Sequence, residues 1–243
     1  MSLLTRTDLV GSLFFPRPDA RPCPRNASDH FVAAPGAALH LRVHGASGPL
    51  LLLFHGNGEI VSDWDAAAPS FLARGVRFAV LDYRGYGRSG GAPTMGRVLD
   101  DAWIVLAYAH ALAGSDVIVM GRSLGSAPCW EVASAPCVRA VIVDSGFASV
   151  DAFARRRGLD PASLTQAERD ALDPLPKIGE VTAPTLLLHG EDDAVIAHAE
   201  AERAHQALRT DKHLVTIPGR GHNDLSMHPA YWQALAPFLD AQR

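Results

Sequence analysis

The chain has 243 residues, of which 48% are apolar and 20% are charged, and its formal net charge is −4 at pH 7 with neutral histidines. This length fits one self-supporting domain, and the acidic balance argues against a nucleic-acid-binding protein, which normally carries a basic excess. The three cysteines cannot all pair and show no CxxC spacing, so neither a disulfide scaffold nor a cysteine-based zinc site is expected.

The N-terminal segment is rich in proline and is predicted to be an extended lead-in over residues 1–36. Its one short apolar run ends at Pro16, which is too early for a secretory signal. No segment of the chain approaches the ~20 consecutive apolar residues of a membrane span. A cytoplasmic protein without stable membrane insertion is therefore expected.

After the lead-in, short apolar runs alternate with longer amphipathic stretches. The runs lie at 38–43, 50–54, 76–83, 116–121, 140–144, 185–190 and 213–217. Helices are predicted between them at about 62–74, 96–113, 124–135, 198–209 and 229–241. Alternating strands and helices predict βαβ units, and therefore one α/β domain over 37–243 with a mostly parallel sheet. In such a sheet, ligands bind beyond the carboxyl ends of the strands.

The least regular part of this domain is 145–180. Asp160-Pro161 signals a helix start there, and Thr165 with Glu168 fits a capping box. One or two short helices are predicted, which would form a small lid at most. The run Arg155–Arg157 can attract an anionic substrate, although a solvated helix face is the ordinary explanation of such a run.

A G-x-S-x-G motif, Gly121–Gly125, directly follows one predicted strand and precedes a predicted helix. Strand, turn and helix together are typical of a nucleophile elbow, in which glycines allow close packing around a serine in a strained turn. Ser123 is therefore the candidate nucleophile. The same pattern recurs at Gly87–Gly91, but Ser89 lies in a glycine-rich loop without either flanking element and is predicted to be structural.

A serine hydroxyl needs a neighbouring base to take its proton. His222 follows the last predicted strand and comes after the serine in sequence, so it is the candidate base. His213 begins a strand and His228 lies near the start of the last helix, so both are less well placed. His189 ends a strand before a glycine turn, where a structural role is expected.

The base in turn needs an acid that orients its ring. The loop after the strand at 185–190 offers carboxylates, and Asp193 is preferred, although spacing alone does not separate it from Asp192. Asp144, at the end of the strand at 140–144, is the alternative, because some hydrolases of this architecture carry the acid there. The order serine, acid, histidine is the one expected for an α/β-hydrolase.

The negative oxygen of an acyl intermediate needs two preorganised N–H donors. One is expected from the backbone of Leu124, immediately after the nucleophile. The other is expected from the glycine-rich loop His55–Gly58, which follows the strand at 50–54. In that loop Asn57 is the preferred donor and Gly58 the second choice.

Taken together, these motifs resemble the α/β-hydrolase superfamily, and within it the Bem46-like proteins and the α/β-hydrolase domain-containing proteins 13 and 17. The matching segments are HGNGE (55–59), DYRGYGRSGG (82–91), GRSLG (121–125), PTLLLHGEDDAV (184–195) and GRGHND (219–224). The resemblance implies an eight-stranded, mostly parallel sheet flanked by helices, and a structural role for the second segment. In the family's H-G-x-x-D pattern the acid is the fifth residue, which favours Asp193 over Asp192.

The prediction is thus a serine hydrolase that cleaves a carboxylic ester, or a related acyl bond, of a small molecule. Ser123, Asp193 and His222 would be catalytic, and the backbone N–H groups of Asn57 and Leu124 would form the oxyanion hole. No metal or organic cofactor is expected. The alternatives are a thioesterase, a small-acyl peptidase or amidase, or a lipase with the same triad, and a non-catalytic ligand-binding member of the fold.

Overall fold

A computed structural model of the chain describes residues 13–156 and 158–243, so residues 1–12 of the expected lead-in lie outside the described residues. The strands are β1 (Ala27–Ala34), β2 (Ala37–His44), β3 (Leu50–Phe54), β4 (Arg77–Leu81), β5 (Val117–Arg122), β6 (Val138–Asp144), β7 (Thr185–Gly190) and β8 (Lys212–Ile217). The α-helices are α1 (Ala68–Leu72), α2 (Met95–Ala113), α3 (Ser126–Val132), α4 (Val150–Arg156), α5 (Gln166–Leu172), α6 (Pro174–Ile178), α7 (Ala199–Ala207) and α8 (Pro229–Asp240).

The strands form one sheet in the order β1-β2-β4-β3-β5-β6-β7-β8. β2 is antiparallel to both of its neighbours, and every pair from β4 to β8 is parallel. The predicted α/β fold with an eight-stranded, mostly parallel sheet is therefore confirmed. Because the parallel strands end at one edge of the sheet, the loops that follow them meet there.

Helices cover both faces of this sheet, as β3 illustrates. Leu50, Leu52 and Phe54 belong to the apolar cluster that includes residues of α2 and α3. Leu51 and Leu53 belong to the opposite cluster, which includes residues of α1 and α8. Since successive side chains of a strand point to opposite faces, burial on both faces accounts for the continuous apolar run in the sequence.

One strand was not expected from the sequence. The segment β1 falls within residues 1–36, which were predicted to be a lead-in, yet it pairs with β2 along its whole length. It is the edge strand of the sheet, and only Val32 of its eight residues is fully buried. An edge strand with so little burial has no strong apolar pattern, which is why the sheet begins before the expected boundary at residue 37.

Two predicted helical regions are divided by prolines. The helix expected at 62–74 is instead a 3-10 turn, Val61–Trp64, followed by α1, because Pro69 favours a new helix start. In 145–180 the described residues form three short helices, α4 to α6, rather than one or two. Pro174 begins α6 only two residues after α5 ends.

Buried ionic contacts hold the β1–β2 hairpin to the end of β4. The side chain of Arg42 is fully buried, with Nε 2.7 Å from Asp29 Oδ1 and Nη1 2.8 Å from Asp65 Oδ2. The ring of His40 lies between two carboxylates, with Nδ1 2.9 Å from Asp82 Oδ2 and Nε2 3.0 Å from Asp29 Oδ1. Pairing of this kind is required here, because an unpaired buried charge is strongly destabilising.

We expect the stabilisation from Asp82 to depend on pH. Burial opposes its charge, but hydrogen bonds from His40 and the backbone N–H of Val61, together with the nearby ring of His55, hold its pKa well below the usual value. A carboxyl group with a lowered pKa stabilises the fold above its unfolded pKa of about 3.9, and this stabilisation is lost as the pH falls toward the folded value. Asp82→Asn should therefore lower the free energy of unfolding by about 3 kcal/mol at pH 7, and by less at pH 3.5.

Urea unfolding of both proteins at the two pH values measures this difference. Asp116→Asn is the control, because Asp116 is exposed at the start of β5 and its substitution should change stability by less than about 0.5 kcal/mol. A stability loss for Asp82→Asn that is equal at pH 7 and pH 3.5 would contradict the role assigned to the carboxylate.

Candidate active site

Ser123 lies in the turn between β5 and α3, at the carboxyl edge of the sheet. Its φ is 51°, a left-handed conformation that residues with a side chain rarely adopt. The two glycines of the motif make this turn sterically specific. A methyl group on Gly125 would overlap the carbonyl oxygen of Phe54, and one on Gly121 would overlap α3. The strained turn expected for the G-x-S-x-G motif is thus present.

The loops after β7 and β8 bring an acid and a histidine to this serine. Nδ1 of His222 lies 2.7 Å from Oδ2 of Asp193, and Nε2 of the same ring lies 2.8 Å from Oγ of Ser123. Asp193 and His222 are both buried. The structure therefore brings together the three side chains that the sequence analysis singled out, although they are far apart in the chain.

Asp193 is held as a carboxylate. Burial opposes its charge, but hydrogen bonds from His189, His222 and the backbone N–H of Ile196 keep its pKa well below the usual value. Because a carboxylate can only accept hydrogen bonds, Nδ1 of His222 donates to it, and Nε2 is left to accept from the hydroxyl of Ser123. This is the tautomer in which a histidine can take the proton of a serine.

His189 is a second imidazole on the same carboxylate. Its Nε2 lies 3.3 Å from Oδ2 of Asp193 and donates to the carbonyl oxygen of Ile196 at 2.9 Å. The backbone N–H groups of Val195 and Ile196 donate to the other carboxylate oxygen, each at 2.8 Å. His189 thus has the structural role expected from the sequence, but that role is to position Asp193. In the sequence, the only indication of this role was the position of His189 four residues before Asp193.

Asp192 and Asp144, the two alternatives to Asp193 as the acid, have different environments. Asp192 is exposed, whereas its neighbour Asp193 points inward. Asp144 is buried at the end of β6, and its Oδ2 accepts a hydrogen bond from the hydroxyl of Tyr231 at 3.0 Å. Burial raises the pKa of Asp144, and the nearby Arg122 opposes this shift only in part. By distance, Asp193 is the carboxylate that His222 contacts.

The other histidines and the second G-x-S-x-G motif have structural contacts. The side chain of His213 is largely exposed on β8, and Nδ1 of His228 accepts from the backbone N–H of Ala230 at the start of α8. Oγ of Ser89 donates to the carbonyl oxygen of Asp82 at 2.7 Å. These contacts are consistent with the lower rank that each residue received from its position in the sequence.

The loop His55–Gly58 begins beside the serine turn, since Gly125 packs against the last carbonyl of β3 and that of the next residue. Within this loop, Oδ1 of Asn57 accepts a hydrogen bond from the hydroxyl of Tyr86 at 2.6 Å. Leu124 is buried on the other side of the turn. The loop and turn are adjacent, as an oxyanion hole requires, and the donor roles of Asn57 and Leu124 stay predictions.

Arg122, the unspecified residue of the motif, connects three loops of the site. It forms an ion pair with Glu59, and its Nη2 donates to the carbonyl oxygen of His222 at 3.1 Å and to Oδ1 of Asn223 at 3.0 Å. Glu59 in turn accepts from the backbone N–H of Gly56 at 2.9 Å. Burial opposes the charge of Arg122, but Glu59 raises its pKa above the usual value. Sequence reasoning missed this pair, because the motif leaves the position open.

A cavity of about 710 Å³ lies next to the serine. It is bordered by Ser123 and Leu124, by part of α4 and by the loop after β7. A volume of this size is typical of small-molecule sites. Ser123 therefore borders a space that can hold a small molecule.

We expect Arg122→Gln to slow the reaction of Ser123 with a fluorophosphonate by between about tenfold and a hundredfold, because the loop of His222 loses two hydrogen bonds and small displacements of reacting groups are costly. The rate is measured by intact mass over time. Arg84→Gln is the matched control: Arg84 is buried in a bidentate pair with Asp101, with both contacts at 2.7 Å, away from the serine. Equal slowing in both variants would show a general loss of stability instead.

Among residues 13–156 and 158–243, no group of three histidine, cysteine, aspartate or glutamate side chains could hold a metal ion. Over the same ranges, no helix has both the length and the apolar character needed to cross a membrane. Cys129, on α3, is buried, and burial raises the pKa of its thiol well above the usual value, as expected for an inert core residue.

Two family models match the chain. The α/β-hydrolase fold family matches residues 49–172, and the TAP-like protein family matches residues 160–242. Among curated proteins, the α/β-hydrolase domain-containing protein aho-3 of Caenorhabditis elegans is 30% identical over 164 residues, which cover 66% of this chain and 48% of that protein. Human α/β-hydrolase domain-containing protein 17B is 28% identical over 199 residues, covering 79% of this chain and 66% of that protein. The chain thus spans about half to two thirds of these relatives.

Solved structures share the fold at low sequence identity. The Pyrococcus furiosus esterase Pf2001 has a TM-score of 0.76 and 17% identity, with coverage of 94% of this chain and 99% of that one. Acetyl xylan esterase 1 from Thermoanaerobacterium has a TM-score of 0.70 and 18% identity, with coverage of 92% and 86%. With a family model matched over half of its length and the domain-containing protein 17 group among its relatives, the chain belongs to the α/β-hydrolase fold family.

Proposed function

We propose that the protein hydrolyses carboxylic esters of small molecules, by transferring the acyl group first to Ser123 and then to water. The observation that carries this proposal is the position of His222, within hydrogen-bond distance of both Ser123 Oγ and Asp193 Oδ2. The adjacent cavity and the esterases among proteins of the same fold support it. Fold alone does not fix function, so the site carries the argument.

In the first step, Oγ of Ser123 attacks the carbonyl carbon of the ester while Nε2 of His222 takes the hydroxyl proton. The carbonyl oxygen becomes negative and accepts hydrogen bonds from the backbone N–H groups of Leu124 and Asn57. Loss of one such donor typically raises the barrier by about 3–4 kcal/mol. Asp193 stabilises the imidazolium that forms and keeps its ring in place.

The intermediate then collapses. The bond between the carbonyl carbon and the alkoxide oxygen breaks, and His222 gives its proton to the leaving alcohol. In the second step, a water molecule attacks the acyl group on Ser123, while His222 takes a proton from that water. When this second intermediate collapses, the bond between the carbonyl carbon and Oγ of Ser123 breaks and His222 gives its proton to Oγ. This releases the carboxylic acid and restores the serine hydroxyl, so protons and electrons balance without a redox partner.

The alternatives to an esterase are of two kinds: hydrolases that use the same triad on another acyl bond, and a binding protein that catalyses no reaction. A thioesterase, a lipase, and a small-acyl peptidase or amidase would use the same residues, and they are separated by rates on one acyl group presented as an ester, a thioester and an amide. A non-catalytic binding protein of this fold would not form an acyl-enzyme. No described contact favours one of these alternatives over the ester.

The first test is covalent labelling. We expect a fluorophosphonate to add one group to the wild-type protein, seen by intact mass, because His222 activates the hydroxyl of Ser123. Ser123→Ala should abolish the adduct, and Ser89→Ala, in the second G-x-S-x-G motif, should keep it. A folded wild-type protein without an adduct would favour the binding-protein alternative. An adduct that persists in Ser123→Ala would show that the nucleophile is wrongly assigned.

The second test separates the two adjacent carboxylates. Asp193→Asn should lower kcat for 4-nitrophenyl butyrate by about 10³- to 10⁴-fold, because the amide can donate to Nδ1 of His222 and favour the wrong tautomer. Asp192→Asn is the control and should keep kcat within about twofold, since surface substitutions are usually mild. Similar losses in both variants, or a loss only in Asp192→Asn, would refute the assignment of the acid.

A further inference from the structure

The cavity beside Ser123 has an apolar inner wall. Phe147 and Phe153 stack on each other with ring centroids 4.9 Å apart, and Val195 and Ile196 line the side formed by the loop after β7. A wall of this kind suits the hydrocarbon part of a small substrate. It does not explain the charged residues that line the same cavity.

The two carboxylates in the wall already have partners. Asp193 is held by the two histidines described above. Glu200 is buried on α7, where its Oε2 accepts from the backbone N–H of Ala148 at 3.0 Å and its Oε1 lies 3.6 Å from Nε of Arg203. Both carboxylates of the wall therefore have hydrogen-bond partners before any substrate enters.

Two arginines also line the cavity, and neither has a close carboxylate partner among the described residues. The side chain of Arg155 is 67% exposed, and its ion pair with Asp151 is a long contact of 3.9 Å. Asp151 makes a closer contact, at 2.5 Å, with Arg169. Within residues 13–156 and 158–243, no carboxylate forms an ion pair with Arg156. The α4 side of the cavity thus presents two guanidinium groups, in a chain whose net charge is −4.

Arg155 and Arg156 are adjacent in the chain, yet both line the same cavity. Adjacent residues of a helix point in directions about 100° apart, so two of them seldom line the same side of a groove. Arg155 and Arg156 both line the cavity, because the carboxyl-terminal end of α4 lies at its rim. A solvated helix face accounts for arginines on a surface, but it does not account for two adjacent ones at the opening of the site.

From this arrangement we infer that the substrate carries an oxyanion group, a carboxylate or a phosphate, which Arg155 and Arg156 bind while the ester carbonyl lies at Ser123. The inference rests on the proposed function and names the substrate class of the same site. Guanidinium groups match the geometry of these oxyanions and keep their charge at all working pH values. The anion lies either on the acyl side of the ester or on the leaving group.

The test compares matched esters on both sides. For the acyl side, the mono-4-nitrophenyl ester of adipic acid is compared with the same ester whose free carboxylate is capped as a methyl ester. For the leaving group, the hexanoate ester of 4-hydroxybenzoic acid is compared with that of methyl 4-hydroxybenzoate. Each kcat/KM is divided by the spontaneous rate of the same ester, which removes differences in chemical reactivity.

In one of the two pairs, we expect the anionic ester to be preferred by about tenfold, as a charged hydrogen-bonded contact allows. The preference should shrink at 1 M NaCl, where exposed charges are screened. It should disappear in the double variant Arg155→Gln, Arg156→Gln and persist when both residues become lysine. The control is Arg209→Gln, an exposed arginine outside the cavity, which should leave the ratio unchanged.

Hydrolysis of neutral esters without a preference for either anionic ester would overturn the inference and leave the proposed function standing. A preference that survives the double substitution would also overturn it. Binding of adipate to the Ser123→Ala protein, measured by calorimetry, tests the arginines without any hydrolysis. Weaker binding after the double substitution supports the inference even if no ester is hydrolysed, and equal binding overturns it.

Discussion

Between the end of β3 and the turn that follows β5 there is no room for a side chain, because the carbonyl oxygens of Phe54 and His55 lie against Gly125. This contact joins the two loops that an acyl-transfer site needs. The turn carries Ser123 in its left-handed conformation, and the loop after β3 carries the N–H groups proposed for the oxyanion. A strained backbone of this kind persists only when its surroundings hold it, which here means the buried strands on both sides.

The electrostatics of the site follow from local partners. Asp193 follows β7, and Asp144 is the last residue of the neighbouring strand β6. The pKa of Asp193 is lowered, whereas that of Asp144 is raised. Asp193 receives hydrogen bonds from His222 and two backbone N–H groups and lies 3.3 Å from the ring of His189, and these contacts outweigh its burial. Asp144 is fully buried, and burial raises its pKa despite Arg122 and the hydrogen bond from the hydroxyl of Tyr231. The environment, more than the type of residue, decides which carboxyl group can serve as the acid.

The parts of the fold and of the candidate site that depend on neighbouring residues in the chain could be predicted from the sequence. The strands β3 and β7 coincide with their predicted runs, because burial on both faces leaves no exposed position within them. The capping box of Thr165 and Glu168 forms at the start of α5, since its hydrogen bonds join residues three apart. The Ser123 turn was recognisable for the same reason, since strand, glycines and helix are contiguous.

The parts that could not be predicted depend on distant contacts. The edge strand β1 is stabilised by pairing and by buried ions, so its own sequence shows little apolar pattern. Asp192 and Asp193 are equivalent by spacing, so in the sequence only the family resemblance favoured Asp193, and the direction of each side chain is set by the fold around the loop. Arg122 and Glu59 are 63 positions apart, and no motif connects them.

Because Arg122 and Glu59 form an ion pair, their two positions cannot change independently during evolution. A pattern written G-x-S-x-G allows any residue at the second position, but here the position is linked to a carboxylate on another loop. Replacing Arg122 or Glu59 alone leaves a largely buried charge without its partner, whereas replacing both removes the problem. The two positions should therefore covary among close homologues, and an exchange of the motif between relatives succeeds only when the residue at position 59 is exchanged with it.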